Sequence, residues 1–190
     1  MASEITAKEA KACWAYSEIT SERYGPAFRT NLAPEIVTLA DQGVPFAKIA
    51  AEHHDALIEV LSKYARNAGF INNLDSSPAY KKVALTKDQL LKLWALWTFS
   101  PPDRTQSRPY AVFHRNPGEG PKDPRTIAAA IPNPDDLPQK EPGIVMNGYG
   151  RPILIEGYLR SQIFMNSTDP SRRFEVWWPT NIPAPADKEP

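Results

Sequence analysis

Proline divides this chain into two unequal grammars. Four of its 20 prolines fall in residues 1–100, and the other 16 fall in 101–190. Proline has no amide donor and its ring clashes with the preceding turn, so it is excluded from helix interiors. The first half is therefore free to be helical, and the second is largely confined to short strands, turns and loops. The expectation is an α+β protein. A helical region spans 1–100, a small mixed β-sheet domain spans 101–180, and a flexible tail rich in Pro, Ala and charge covers 181–190.

Helix signals are dense in the first half. Thr6 followed by Glu9 is a capping-box pattern, and residues 7–16 are mostly good helix formers. Pro34 suits a first helical turn, and Ile36, Val37, Leu39 and Ala40 make an apolar stripe that stops at Gly43. Pro45 opens the next apolar face, with Ile49, Ala50, Leu57, Val60, Leu61 and Tyr64 on it and Gly69 at its end. Thr86 begins another helix whose apolar side carries Leu90, Leu91, Leu93, Trp94 and Trp97, stopped by Pro101-Pro102. Trp94, Trp97 and Phe99 have the helical spacing of a core or domain contact.

In the second half, residues 110–114 read as a strand, and 126–130 as one helical turn within an irregular Pro-rich stretch. Residues 144–146, 152–155 and 174–178 are apolar or β-branched runs bounded by turn residues. Asn147-Gly148-Tyr149-Gly150, between the first two, is hairpin chemistry. Trp177 and Trp178 alternate across their strand and so face opposite sides.

The 22 basic and 22 acidic residues cancel. That balance argues against a protein held to nucleic acid by bulk charge, while leaving room for a local basic patch. With one cysteine, Cys13, no intrachain disulfide forms, and a small core residue of an amphipathic helix is its better reading. No run approaches the length needed to cross a bilayer, and residues 1–5 lack the basic-then-apolar pattern of a signal peptide. The expected location is cytoplasmic, with no membrane partner. Adjacent histidines such as His53-His54 point about 100° apart on a helix and do not chelate as i, i+4 residues do, so no metal site is expected.

The segment that carries chemistry is Pro152-Ile153-Leu154-Ile155-Glu156-Gly157-Tyr158-Leu159-Arg160-Ser161. An apolar strand ends at Glu156, and a short helix begins after a glycine. Gly157 has no Cβ and lets a ligand approach the main chain. The first amides of the helix favour negative charge. Arg160 lies about one turn on, where its planar fork reaches the same anion. Ser161 adds a hydroxyl, and Glu156 offers a carboxylate for proton transfer or metal binding. Spacing alone also allows a plain reading, in which Arg160 is a solvated helix residue and Glu156 a cap.

The order of elements from Gly143 to Pro179 resembles the end of the ParB/sulfiredoxin-like superfamily. There a hairpin runs into a Gly-x-x-Arg corner, followed by a helix and a strand that returns to the sheet. The matching residues are Glu156, Gly157 and Arg160. The resemblance implies phosphate binding by Gly157, Arg160 and Ser161, a nucleoside triphosphate with magnesium as ligand, and a catalytic part for Glu156 if the protein is an enzyme (a nuclease or phosphotransferase). Many members have a polar or basic residue where this chain has Leu159. Arg104, Arg108, His114, Arg115 and Arg125 are the upstream candidates to complete the site.

A second resemblance falls on residues 34–69, which look like the opening of bacterial helix-turn-helix domains: a helix ends at Gly43, and the next carries Ile49-Ala50 at its centre. His54 stands where such domains usually place a glycine. A single helix over 45–68 is the competing reading. DNA contact would fall to Lys63, Arg66 and Asn67. Expected partners are thus a nucleotide or other phosphate ligand, DNA, and a second copy of the chain. A non-catalytic interaction module, with the tryptophans as its interface, is the plain alternative.

Overall fold

Thr6 ends a short strand and starts a helix in the same step. Its hydroxyl accepts the Glu9 amide at 3.2 Å, and the Glu9 carboxylate accepts the Thr6 amide at 2.7 Å, closing the expected capping box. Strand β1 (Glu4–Thr6) therefore runs straight into helix α1 (Ala7–Glu18). The structure, a computed structural model, describes residues 4–21, 24–63, 70–96, 107–116, 118, 120–148 and 150–186. Helices α2 (Gly25–Asn31) and α3 (Pro34–Asp41) each open on a proline in the first turn, and the chain leaves α3 through Gly43 at φ +69°.

Beyond Pro45 the structure corrects the sequence reading. Two 3-10 turns, Phe46–Lys48 and Ala51–His53, precede α4 (His54–Ser62), and Ile49 and Ala50 between them are extended. Neither one helix over 45–68 nor a helix centred on Ile49-Ala50 forms. The cause is tertiary. Phe46 and Ile49, three apart, are both buried, which suits the three-residue turn. The Phe46 amide is also taken by the Glu141 carboxylate at 2.7 Å, a contact across 95 positions. Residues 64–69, with the end of that apolar face, lie outside the described residues.

Strand β2 (Ala79–Leu85) follows, with alternating burial that the helical reading of the first half had passed over. A second capping box, Thr86 with Gln89, starts α5 (Lys87–Leu91), which stops sooner than expected. Trp94 then enters β3 (Trp94–Leu96), paired with Ile153 on one side and Pro109 on the other. Trp97 and Phe99 lie outside the described residues. After β4 (Ser107–Pro109), residues expected as a strand form α6 (Tyr110–Arg115) instead. Tyr110 and Phe113 are both fully buried, and their spacing of three places them on one helical face, a demand that period two cannot meet.

The rest follows the expected order: α7 (Pro124–Ala129), the hairpin β5 (Gly143–Gly148) and β6 (Arg151–Glu156), α8 (Tyr158–Asn166) and β7 (Phe174–Pro179). The protein is α+β, with one mixed sheet of order β1-β2-β7-β5-β6-β3-β4. β5 runs parallel to β7, and β3 parallel to β6; the other neighbours are antiparallel. The sheet thus takes β1, β2 and β3 from before residue 100 and its other strands from after it.

Side chains alternate across this sheet, and both faces are covered. Ile144, Met146, Ile153, Ile155 and Trp177 face the layer of α1 to α4. Val145, Leu154, Phe174, Val176 and Trp178 face the other way, toward α5, α6 and α8. The chain after β7 is fastened as far as residue 186, where a flexible tail had been expected. Trp178 Nε1 donates to the Ile182 carbonyl at 3.2 Å, and Gln89 Nε2 donates to that of Ala186 at 3.1 Å. Among the described residues, no helix is long and apolar enough to cross a membrane.

Candidate functional site

At the end of β6 the backbone turns through Gly157, whose φ is +98° and ψ 20°. A Cβ there would sit 3.0 Å from the Gly143 Cα and 3.3 Å from Phe174 Cζ, so glycine is required by both conformation and space. Gly143 begins β5, next to an irregularity in the β5–β6 register between Ile144 and Val145. Two glycines thus let the strand end and the helix start cross closely. The first intrahelical bond of α8 runs from the Ser161 amide to the Gly157 carbonyl at 2.8 Å, so Leu159 and Arg160 fall in the open first turn.

The corner residues divide into two groups. Glu156, Gly157 and Arg160 all line one cavity. Arg160 Nη2 donates to Glu156 Oε2, one helical turn back, and Arg160 Nε is buried with no hydrogen-bond partner among the described residues. Ser161, grouped with them from sequence, is turned away and fully buried. Its hydroxyl donates to the Tyr158 carbonyl at 2.7 Å and accepts the Tyr110 hydroxyl at 2.7 Å. Gln162 Nε2 completes that knot by donating to the Tyr110 oxygen at 2.7 Å. Ser161 therefore fixes α8 to α6 and does not line the cavity.

The cavity holds about 650 Å³ and lies between the helical layer and the end of β6. Trp14, Tyr24 and Phe70 contribute aromatic wall from the N-terminal half, while Ile127 of α7 and Leu137 of the segment before β5 close it. That volume suits a drug- or nucleotide-sized molecule. Three carboxylates line it, Glu18, Glu141 and Glu156, together with Lys122, Lys140 and Arg160.

Their environments differ. Burial raises the Glu18 carboxyl to a pKa of about 7, aided by the charge of Glu156 and opposed by the hydrogen bond from Trp14 Nε1, which meets Oε1 at 3.3 Å. Burial also raises Glu141, against the Phe46 amide and the Arg160 charge. Cys13 Sγ lies 4.0 Å from Glu141 Oε2, and burial with the Glu141 charge pushes that thiol far up. Cys13 is a core residue, 1% exposed. Tyr16 is raised to about 12 by burial and donates its hydroxyl to the Val44 carbonyl at 2.7 Å.

Two of the upstream candidates are employed elsewhere. Arg125 is buried against Asp123, with Nη2 to Oδ2 at 2.6 Å, and also donates to the carbonyls of Phe113 and Asn116. His114 Nδ1 is 2.9 Å from Gln162 Oε1, and its ring stacks on Tyr110. Neither of these nor Arg115 lines the cavity. Arg108 falls in β4, and Arg104 lies outside the described residues.

On the other expected surface, Lys63 is exposed and paired with Glu59 at 3.2 Å, while Arg66 and Asn67 lie outside the described residues. His54 is buried and stacked on Phe46, with ring centroids 5.1 Å apart. No group of three His, Cys, Asp or Glu side chains among the described residues is placed to hold a metal ion. The residues that sequence reasoning missed are Trp14, Glu18, Lys122 and Glu141. They join the corner only through the fold, and no local spacing announces them. Compared with protein-family models, with curated proteins and with solved structures, the chain finds no match.

Proposed function

We propose that the chain binds a phosphate-bearing small molecule, a nucleotide in the first instance, with the phosphate at Gly157 and Arg160 and the remainder in the cavity walled by Trp14, Tyr24 and Phe70. One observation carries this reading. Arg160, its Nη2 paired with Glu156 and 23% of its side chain still exposed, lines a cavity of about 650 Å³ beside a left-handed glycine that opens a helix. A guanidinium held by one carboxylate keeps further N–H donors, and a phosphate oxygen in the cavity is a fitting acceptor for them. The sequence of hairpin, corner, helix and returning strand, which resembles the ParB/sulfiredoxin-like group, supports the same reading. Magnesium enters it only as a companion of the nucleotide's phosphates.

Thermal denaturation tests the proposal, with inorganic pyrophosphate and ATP as probes, each with and without magnesium. At about 100 times the dissociation constant, a ligand adds about 2.7 kcal/mol of stability, or roughly 5–10 °C for a chain of this size. The shift is expected in the wild type and not in Arg160→Ala. No shift with either probe would remove the reading.

An enzyme acting on the same ligand is the second reading, favoured by Glu156, whose carboxylate lines the cavity next to the anion corner. Release of phosphate from ATP that Glu156→Gln abolishes, with pyrophosphate binding retained, would establish it. A DNA-associated role has weaker support. The exposed side of α4 carries Asp55 and Glu59 against Lys63, and Asp55 is itself paired with Lys8 at 2.8 Å.

A further inference from the structure

Glu18 ends α1 and lines the part of the cavity wall that the helical layer supplies. Trp14 Nε1, one helical turn back, donates to its Oε1 at 3.3 Å, and the Ser21 hydroxyl donates to the same carboxyl. Trp14 is 4% exposed, so its packing fixes where that oxygen sits. A carboxylate offers about four acceptor positions and no donor of its own. Two neutral protein donors leave about half of those positions open. Among the described residues no cation is ion-paired with Glu18, and Arg160 on the same cavity wall is paired with Glu156. An acceptor fixed by packing, half satisfied and set in a cavity wall is a recognition group for a donor.

We infer that Glu18 is a specificity-determining residue of the cavity, its carboxylate accepting a hydrogen bond from an N–H or O–H donor on the body of the ligand, away from the phosphate. The inference rests on the phosphate-binding reading of Gly157 and Arg160. It narrows the ligand class to phosphate esters whose body carries a hydroxyl or amino donor. A nucleotide has both, on its sugar and on its base. The charge of Glu18 also repels a phosphate, which sets the ligand's direction: phosphate toward Arg160, donor-bearing body toward Glu18. A bare phosphate chain reaches the anion corner but has nothing to give Glu18. An acceptor left unpaired rejects ligands lacking the matching donor more strongly than an apolar wall does.

Calorimetric titration of ADP and inorganic pyrophosphate separates this inference from the reading beneath it. Burial raises the Glu18 pKa to about 7, so titration at about pH 8 keeps the carboxylate in its charged, accepting form. Glu18→Ala is expected to weaken ADP about tenfold while leaving pyrophosphate within about twofold. Glu18→Gln distinguishes an acceptor from a donor. Trp14 Nε1 claims the amide oxygen, so the amide NH2 takes the remaining position and meets the ligand's donor with a donor. Glutamine is therefore expected to weaken ADP as fully as alanine does. Analogues of ADP without one or the other ribose hydroxyl, or without the base amino group, then locate the bond. The advantage of the wild type over Glu18→Ala should vanish for the analogue whose missing group Glu18 holds, which assigns the donor to the sugar or to the base.

Wild-type ADP affinity in Glu18→Gln would overturn the inference. So would equal effects on ADP and pyrophosphate in Glu18→Ala, or an advantage that survives in all the analogues. In each of these cases the anion corner stands on pyrophosphate binding to the wild type. If neither probe binds the wild-type chain, the inference and the phosphate reading fall together. Circular dichroism of each variant confirms that the comparison is between folded proteins.

Discussion

Arg160 pairs with Glu156 one helical turn back through Nη2, while its Nε stays buried and unpartnered among the described residues. The guanidinium is thus half engaged. Its charge is balanced by a carboxylate that fixes its direction, and a remaining donor belongs to the same cavity-lining side chain. Charge-assisted hydrogen bonds to such a fork contribute about 1.5–3 kcal/mol. Arg160→Ala is therefore expected to weaken pyrophosphate roughly 10- to 100-fold. Arg160→Lys, which keeps the charge but not the fork, should recover only part of that loss. Equal affinities for the wild type and Arg160→Ala would show that the anion, if it binds, binds elsewhere.

Gly157 is the second requirement of the corner. At φ +98°, with the Gly143 Cα 3.0 Å from the position of an added Cβ, alanine meets strain and contact together. Gly157→Ala is expected to lower stability by about 1–3 kcal/mol in urea denaturation, with loss of phosphate binding. Gly150, also at positive φ but with open space around its Cβ position, is the control. Gly150→Ala should keep binding unchanged. A Gly157→Ala protein as stable as the wild type would contradict the described backbone.

The raised carboxyls set a pH dependence with a definite sign. Glu18 has its folded pKa lifted from 4.5 to about 7, so between those values the folded chain holds a proton that the unfolded chain has lost. Stability then falls as pH rises through that window, by at most on the order of 1 kcal/mol per pH unit from this group. Glu141 acts in the same direction. Asp135, Asp41 and Asp169 act oppositely. Their carboxyls are held below the usual range, Asp135 by the Ser167 and Thr168 hydroxyls first, so their contribution is lost only as the medium turns acidic. Denaturation midpoints measured from about pH 5 to about pH 8 should decline in the wild type and decline less in Glu18→Gln. An unchanged slope would remove Glu18 as its source.

The pair Arg125–Asp123 is predicted to matter for folding and not for the ligand. Its side chains are 5% and 2% exposed, and the guanidinium lies 4.8 Å from the Phe113 ring centroid. Removing one member of a buried pair costs about 3–5 kcal/mol, because the other is left charged and alone. Asp123→Ala should destabilise the chain by that amount, without changing pyrophosphate affinity in whatever fraction remains folded. Lost affinity at full folding would place the pair in the site instead.

What the sequence revealed was whatever depended on neighbours within a turn or a strand. The Thr6–Glu9 box, the Pro34 helix, the hairpin and the left-handed glycine rest on local sterics and local hydrogen bonds. What it concealed depended on distant partners. Phe46 gives its amide to Glu141 and so forgoes a continuous helix. Trp94 leaves its expected helix because Ile153 and Pro109 offer ladder positions. Tyr110 folds into a helix because Ser161 and Gln162, some 50 positions on, hold its hydroxyl. Half of the candidate site was legible for the same reason. Glu156, Gly157 and Arg160 announce themselves within five residues. Trp14 and Glu18 reach the cavity from the far end of the chain, and Ser161 sits one residue too far around its helix to share it.

The most direct test is a crystal soaked in tungstate, a heavy analogue of phosphate whose anomalous signal locates it without prior assumption. The account predicts a peak within hydrogen-bond reach of the Arg160 guanidinium and the first amides of α8, lost in crystals of Arg160→Ala. A peak confined to other basic residues, with the Gly157–Arg160 corner unoccupied at saturating tungstate, would contradict it.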